Sequence, residues 1–395
     1  MCSVMETTED IVIVGGGIAG LSVALALHRF GLRSLVLESH DTLRVTGAAF
    51  TTWTKAWKAL DVLGVGDSLR QQHSRLSRII AISTETGVQT AKLSYGNHEV
   101  RCVKRKVLLE TLAKELPSNT IRFSSKVVSI EKSGHFKLLR LVDGSILKTK
   151  VLIGCDGVNS TVARFMGFKK PSFTNRLAIR GYVDFEENHG FDLQFMQFMG
   201  HGVRYGILPC DATTIYWFFT WSPLNEDEDM KENPSKMKQH VLNSLGKVQD
   251  NIKDIIQKTK VEDIICSPLR FRQPWELLWQ DISKDNICIA GDALHPMTPD
   301  LGQGACSALE DAVVLATCLA QGFSEDENME SCLRKYAKQR KWRGIDLVST
   351  AYFVGFVQQS SLKFVRFLRD NFLAGFLAGL LLKKADFDCG HLGNL

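Results

Sequence analysis

The chain has 395 residues, long enough for two or three domains around a substantial buried core. A charged fraction of 23% and a hydrophobic fraction of 45% are those of an ordinary soluble globular protein. The net charge is only +5 and the basic residues are spread out, so nucleic acid is not an expected partner, whereas anionic small molecules are compatible.

In chain order, the first predicted strand is the apolar run Ile11-Val12-Ile13-Val14, which breaks into Gly15-Gly16-Gly17-Ile18-Ala19-Gly20. A helix over Leu21 to Phe30 follows, closed by Gly31, and a second strand, Ser34 to Leu37, ends in Glu38. Strand, glycine turn, helix, strand and acid within about thirty residues form a dinucleotide-binding fingerprint. Gly15 permits the tight turn, Gly17 lets the backbone approach a pyrophosphate, and Gly20 lets the helix lie close on the strand. The helix N-terminus offers unpaired amides to phosphate oxygens, and Glu38 is placed for the ribose hydroxyls of an adenosine. The structural alternative is a glycine turn that only packs a helix on a sheet. An N-terminal position for this unit leans toward FAD.

At mid-chain, Val151 to Cys155 is again an apolar strand, ending in Asp156-Gly157-Val158-Asn159-Ser160. Asp156 at the carboxyl end of a buried strand sits where ligands bind in open α/β sheets; taken alone it is equally a helix cap. Phe191 to Met199 and Thr213 to Trp221 are rich in aromatic and β-branched residues and read as strands of an antiparallel sheet. The polar, acidic stretch 225–233 reads as a surface loop, and 234–261 turns helical, with Met237, Val241, Leu242, Leu245, Val248 and Ile252 at three- and four-residue steps.

A third motif runs from Asn286 to Cys306: a strand delivers Asp292, a proline-stiffened loop through Pro296 and Pro299 follows, and Gly302 and Gly304 open a helix over Ser307 to Leu319. Small first-turn residues would let a flat ring approach the helix amides, where negative charge on a reduced cofactor is stabilised. The tail, 362–382, combines Lys363, Arg366 and Arg369 with a short apolar stretch; a helix packed between domains and peripheral membrane contact are both compatible with it.

The ten cysteines form no CxxC pair and no zinc-binding spacing, so no metal site is expected. With no signal peptide ahead of the first strand, a cytoplasmic location is expected, membrane-associated if the tail docks.

Together the three motifs make the chain resemble the flavoprotein aromatic hydroxylases, the single-component FAD monooxygenases that include 4-hydroxybenzoate and salicylate hydroxylases and zeaxanthin epoxidase. The resemblance covers about residues 10 to 345. It is closest to the plant monooxygenase-like branch through Gly47-Ala48-Ala49-Phe50 and the run Leu294 to Gly304. It implies a Rossmann-like α/β FAD-binding domain (1–75, 100–175 and 282–345) interleaved with an antiparallel-sheet substrate domain (76–99 and 176–281) and a C-terminal helical tail (346–395). It also implies that Arg105 contacts FAD near its phosphates or ribityl chain. Asp292 would hold the ribityl and phosphate region, and Pro299 with the backbone of Gly302, Gly304 and Ala305 would lie against the flavin ring. Asp156 would be linked to both FAD and the nicotinamide cofactor. Two departures stand out: Ala163, followed by Arg164, occupies the place of the family's usual arginine, and Ala305 replaces a glycine common in relatives.

The implied reaction uses NADPH or NADH and dioxygen, through a flavin peroxide, to hydroxylate or epoxidise an apolar or aromatic small molecule, with plant specialised metabolism as the setting. Such chemistry needs an apolar pocket that excludes water. Either Tyr216, Phe218 and Thr220 or Ile215, Trp217, Phe219 and Trp221 could line it, since alternate strand residues share a face, and either set is compatible with core packing alone. Arg180, placed at a strand start, would either pair on the surface or meet an anionic substrate; His295 would fix its loop or act as a base. No catalytic base is identified. The alternatives are an FAD oxidase, dehydrogenase or oxidative-rearrangement enzyme on the same fold, and a non-redox binding protein.

Overall fold

The apolar runs become parallel strands of one sheet in the computed structural model, which describes residues 6–44, 49–200, 202–223, 233–324, 327–359, 379, 383 and 384. Glu6–Val14 lies at the centre, flanked by Leu35–Leu37 on one side and Ile146–Gly154 on the other, with Ile287–Ile289 beyond. Register aligns Val14 with both Leu37 and Gly154, and Gly154 with Ile289. Because these strands are parallel, their carboxyl ends share one edge, and Gly15, Glu38, Asp156 and Asp292 all emerge there. The chain leaves the central strand toward one side and returns on the other, the switch point at which open α/β sheets bind ligands. Val127–Ser133 and Phe136–Leu141 extend this sheet as an antiparallel pair.

A second sheet of seven strands carries the other half of the molecule, in the order Ile265–Phe271, Ser172–Asp184, Thr214–Trp221, Val203–Pro209, Gln194–Gly200, Arg78–Ser83 and Gln89–Ser94. All its pairings are antiparallel except that of Gln194–Gly200 with Arg78–Ser83. The fold is therefore α/β, with parallel and antiparallel sheets interleaved along the chain.

Several boundaries differ from the sequence reading. The first helix begins at Ile18, because its opening turn is the glycine turn itself, with Gly17 as N-cap. The aromatic strand expected from Phe191 starts at Gln194. The helical pattern over 234–261 is two helices, Pro234–Ser244 and Asp250–Lys258, separated where Gly246 takes a positive φ of 70°. Arg180 lies inside the strand Ser172–Asp184 rather than at a strand start, opposite Phe218. The helix expected over Ser307 to Leu319 runs Gly304–Ser324. Gly47 and Ala48, residues 225–232 of the acidic loop, and the tail beyond Gln359 apart from residues 379, 383 and 384 lie outside the described residues.

The two faces of Thr214–Trp221 part company. Ile215, Trp217, Phe219 and Trp221 pack with Met237, Val241, Ile252 and Ile255 of the two helices. Trp217 is fully buried, and its indole N–H donates to Thr259 Oγ1 at 2.9 Å. Tyr216, Phe218 and Thr220 face the other way, into a cavity.

Gly304–Ser324 is the one helix among the described residues long and apolar enough to cross a membrane, and it is a buried core helix packed against Ile18–Arg29 and Met329–Gln359. Met329–Gln359 in turn touches strands of both sheets. Truncating Trp217→Ala is expected to lower unfolding free energy by about 3–5 kcal/mol in urea denaturation, through a buried cavity and the loss of the hydrogen bond to Thr259 Oγ1. Because Trp217 points away from the cavity, the folded variant should still retain FAD, measured as flavin absorbance per protein.

Candidate active site

Two hollows open along the carboxyl edge of the parallel sheet and share Arg105 and Asp292. The first, about 540 Å³, is lined by Gly15 to Gly17, Glu38 to His40, Arg44, Lys126 and Asp156 to Asn159. The second, about 250 Å³, lies between this edge and the second sheet and is lined by Ile18, Phe50, Arg180, Arg204, Tyr216, Phe218, Thr220, Met297, Pro299, Gly302, Gly304 and Ala305. The structure thus brings the predicted residues into one bipartite groove, except Ala19 and Gly20, which pack behind it.

Gly15 has φ of 105°, and a Cβ there would sit 2.4 Å from the Cys155 carbonyl oxygen; one on Gly20 would sit 1.9 Å from the Gly15 carbonyl oxygen. These glycines are demanded by backbone contact. A Cβ on Gly17, by contrast, would meet only the Arg105 guanidinium, at 3.9 Å, so the helix N-terminus faces open groove. Glu38 accepts from the Gly16 amide at 2.8 Å, the His40 amide at 2.9 Å, and the Ser39 hydroxyl at 3.1 Å. Burial pushes its carboxyl up, but the His40 and Gly16 hydrogen bonds outweigh this and hold it below the ordinary range.

Asp156 accepts from the Ser160 hydroxyl and, at 2.6 Å, from the first amide of the helix Thr161–Phe165, whose N-cap is Ser160, while also lining the groove. Burial raises its carboxyl above the ordinary value against the pull of those bonds. Ala163 is buried beneath this turn and Arg164 is exposed, its guanidinium on Thr161 Oγ1 at 3.2 Å, so no arginine takes the family's usual place there.

Arg105 begins the helix Arg105–Lys114 at the junction of the hollows. Burial pulls its guanidinium down while the nearby Asp292 supports the charge, and its Nε is buried with no partner among the described residues. Both side-chain amide atoms of buried Gln303, next to the helix start, also lack partners. Unsatisfied buried donors are costly, so the Arg105 Nε beside an open groove fits a polar ligand supplied from outside, whereas Gln303 lines neither hollow. A phosphate-facing helix end, an acid at the ribose position, an unsatisfied arginine at the junction and a glycine-opened helix end suit the parts of FAD in order.

His295 stands outside both hollows. Its Nε2 lies 2.7 Å from Asp311 Oδ2, and Asp311 also accepts from the Gly291 amide at 2.8 Å and from Arg340 Nε at 2.6 Å. Glu310 pairs with Arg340 at 2.9 Å and Arg343 at 3.1 Å. Burial opposes ionisation of Asp311, yet the charges of His295 and Arg340 take its carboxyl down to about 2. His295 therefore fixes its loop, the first of its two sequence readings.

Some lining residues went unread in the sequence. Arg204, on the strand Val203–Pro209, donates to Asp300 Oδ1 at 3.0 Å, and Arg176 clamps both oxygens of the same carboxylate at 2.8 and 2.9 Å. Burial pulls Arg204 down to about 10 against the attraction of Asp300, leaving it a cation at neutral pH, 4.9 Å from the Phe218 ring centroid. These partners are 96 and 124 residues apart in the chain, beyond any local pattern. Alternation in 203–209 would have marked the strand. Gly16, whose amide feeds Glu38, is hidden inside the glycine run.

Fold and groove define a flavoprotein of the single-component FAD-dependent monooxygenase class. The chain belongs to the FAD binding domain family, which matches residues 8–351. It is 52% identical to Monooxygenase 2 of Arabidopsis thaliana, across 98% of this chain and 99% of that protein, and 36% identical to Monooxygenase 1 of the same plant, across 97% and 99%. Among solved structures, HpxO of Klebsiella pneumoniae complexed with FAD and uric acid superposes with a TM-score of 0.82 at 23% identity, covering 96% of each chain. The protein is thus an FAD-dependent monooxygenase.

Two outcomes are expected. Arg105→Ala should weaken FAD binding at least tenfold, in titrations of apoprotein followed by flavin fluorescence, with the fold retained. Asp311→Ala should cost about 3–5 kcal/mol of unfolding free energy, because it breaks a buried ion pair, leaves the Gly291 amide without its acceptor and leaves Arg340 only Glu310 as a carboxylate partner. Since the folded Asp311 carboxyl is depressed, its contribution is complete above the unfolded value of about 4 and is lost as pH falls toward about 2. Denaturation across that window should show wild-type stability falling and the difference from Asp311→Ala shrinking.

Proposed function

We propose that the protein uses NADPH or NADH and dioxygen to hydroxylate or epoxidise an apolar or aromatic small molecule. The observation that carries this reading is the bipartite groove: a phosphate- and ribose-suited hollow joined at Arg105 and Asp292 to a second hollow walled by Tyr216, Phe218 and Thr220. When bound, FAD supplies the capacity to accept a hydride and to activate dioxygen for transfer of one oxygen atom.

The chain's own residues set the conditions. Glu38 would hold the adenosine ribose, and the amides after Gly17 together with Arg105 would hold the phosphates. Asp292 would hold the ribityl region, and the amide-rich start of Gly304–Ser324 would meet the redox-active ring, its positive end favouring negative charge there. Pro299 and Ala305, which line the second hollow, would bound the ring. The aromatic face of the second sheet would cover the reacting region and limit the access of water to it. The two sheets support the domain division read from sequence, a cofactor domain interleaved with a substrate domain. The described cysteines are free thiols, which supports a reducing compartment such as the cytoplasm.

One observation favours a second reading. With Ala163 buried and Arg164 exposed, the turn at Asp156 lacks a cation aimed at a nicotinamide nucleotide, as expected if a substrate itself reduces the flavin in an oxidase. Oxidation of NADPH and NADH by the FAD-loaded protein, with phenols, indoles and terpenoids and with hydrogen peroxide quantified, separates the two. The monooxygenase reading expects substrate-stimulated nucleotide oxidation, little peroxide and an oxygenated product. Failure of both nucleotides to reduce bound FAD would overturn it in favour of the oxidase.

A further inference from the structure

We propose that the helix Pro274–Trp279 and the part of Met329–Gln359 that crosses it form a docking surface for an anionic lipid bilayer. The tryptophans point to it. Of the seven in the chain, Trp53, Trp57, Trp217 and Trp221 are buried. The other three, Trp275, Trp279 and Trp342, are 58%, 79% and 66% exposed. A large apolar ring left in water forgoes the free energy of burial, and several such rings on one surface mark an interaction site.

The three lie on one surface. Trp275 and Trp279 are one turn apart on the same face of Pro274–Trp279, and Leu278 is exposed beside them. Met329–Gln359 packs across this helix: Lys341 Nζ donates to the Gln280 carbonyl at 3.4 Å, and a Cβ on Gly344 would stand 3.6 Å from Leu277 Cδ1. Trp342 falls between those two crossing points. The inward side of the crossing is already packed, with Leu277 buried among Leu294, Ile282 and Val348, and none of the three tryptophans belongs to that core.

The border of this surface is basic. Arg272, just ahead of the helix, donates to the Lys169 carbonyl at 3.2 Å, and a Cβ on Gly167 would stand 3.7 Å from Gln280 Oε1, so the segment 167–170 runs alongside the helix. Lys169 and Lys170 are exposed there, and Lys338 is exposed one turn before Trp342. None of these three lysines forms an ion pair with a described residue. Glu276, the acid on the helix itself, is neutralised by Arg272 at 3.1 Å.

Exposed indoles bordered by unpaired lysines match the chemistry of a bilayer surface, where indole rings settle at headgroup level and anionic headgroups attract each nearby lysine. A second copy of this chain is a poorer match, because a two-fold contact would set the lysine border against its own image. The tail beyond Gln359 supplies none of these residues. The same long helix continues from this surface to Gly355, where a Cβ would stand 2.2 Å from Asp300 Oδ2, so the docking face is joined to the clamp behind the second hollow.

Flotation of the full-length, FAD-loaded protein tests the proposal, with vesicles of phosphatidylcholine alone and of phosphatidylcholine containing about 30% phosphatidylserine. Binding to the anionic vesicles should be at least tenfold stronger and should fall as salt is raised. The double variant Trp275→Ser, Trp279→Ser should lose at least tenfold in binding at unchanged FAD content, and so should Lys169→Glu with Lys170→Glu. Brominated lipid should quench wild-type tryptophan fluorescence and quench that of the double tryptophan variant less. Equal binding to both vesicle types, no binding to either, or undiminished binding by the double tryptophan variant would overturn the proposal. A dimer in sedimentation velocity that the same variant dissolves would also overturn it, assigning the surface to a second copy of the chain.

Discussion

Much of this structure depends on a single buried carboxylate. Asp311 sits two turns into the helix that ends at the cofactor groove, and it gathers the Gly291 amide, the His295 ring and the Arg340 guanidinium around its two oxygens. Each partner comes from a different piece of the site: the turn that presents Asp292, the loop that leads to Pro299, and the long helix that reaches both sheets. Two charges buried this deeply are held only by good geometry and full hydrogen bonding. The reward is positional. The glycine-opened helix end, Asp292 and the proline loop are fixed relative to one another before any ligand arrives, as electrostatic preorganisation requires.

Parallel strands supply the rest of the order. Gly15, Glu38, Asp156 and Asp292 are separated by as much as 277 residues, yet they lie together because four parallel strands end on one edge. This was legible in the sequence, since each strand is a short apolar run ending in a glycine or an acid, and that punctuation survives without knowledge of pairing. The cavity-facing set Tyr216, Phe218 and Thr220 was legible only as one of two alternatives. What separates them is the pair of amphipathic helices that covers the Trp217 face, a contact between elements far apart in the chain.

Other features were not legible for the same physical reason. Arg204 lines the hollow and Arg176 is tied to it through Asp300, and nothing local to any of the three announces the others. His295 resembles a catalytic candidate when read beside Asp292, but it turns inward to Asp311 sixteen residues on. Arg180 could be read as a surface cation until the sheet placed it opposite Phe218. Motif residues are readable because their neighbours in sequence define them; the electrostatic roles of the arginines are set by distant partners.

The groove therefore divides labour between a prepaid scaffold and unsatisfied groups. Asp300 and Asp311 are saturated with donors, whereas Arg105 Nε, the Gln303 amide and the Arg180 guanidinium have no described partner. The most direct test of the whole account is isotopic: turnover of an oxygenated substrate under 18O2, with product analysed by mass spectrometry. Incorporation of one labelled atom per product is the expected result, and a product that gains no label, or takes its oxygen from water, would contradict the account.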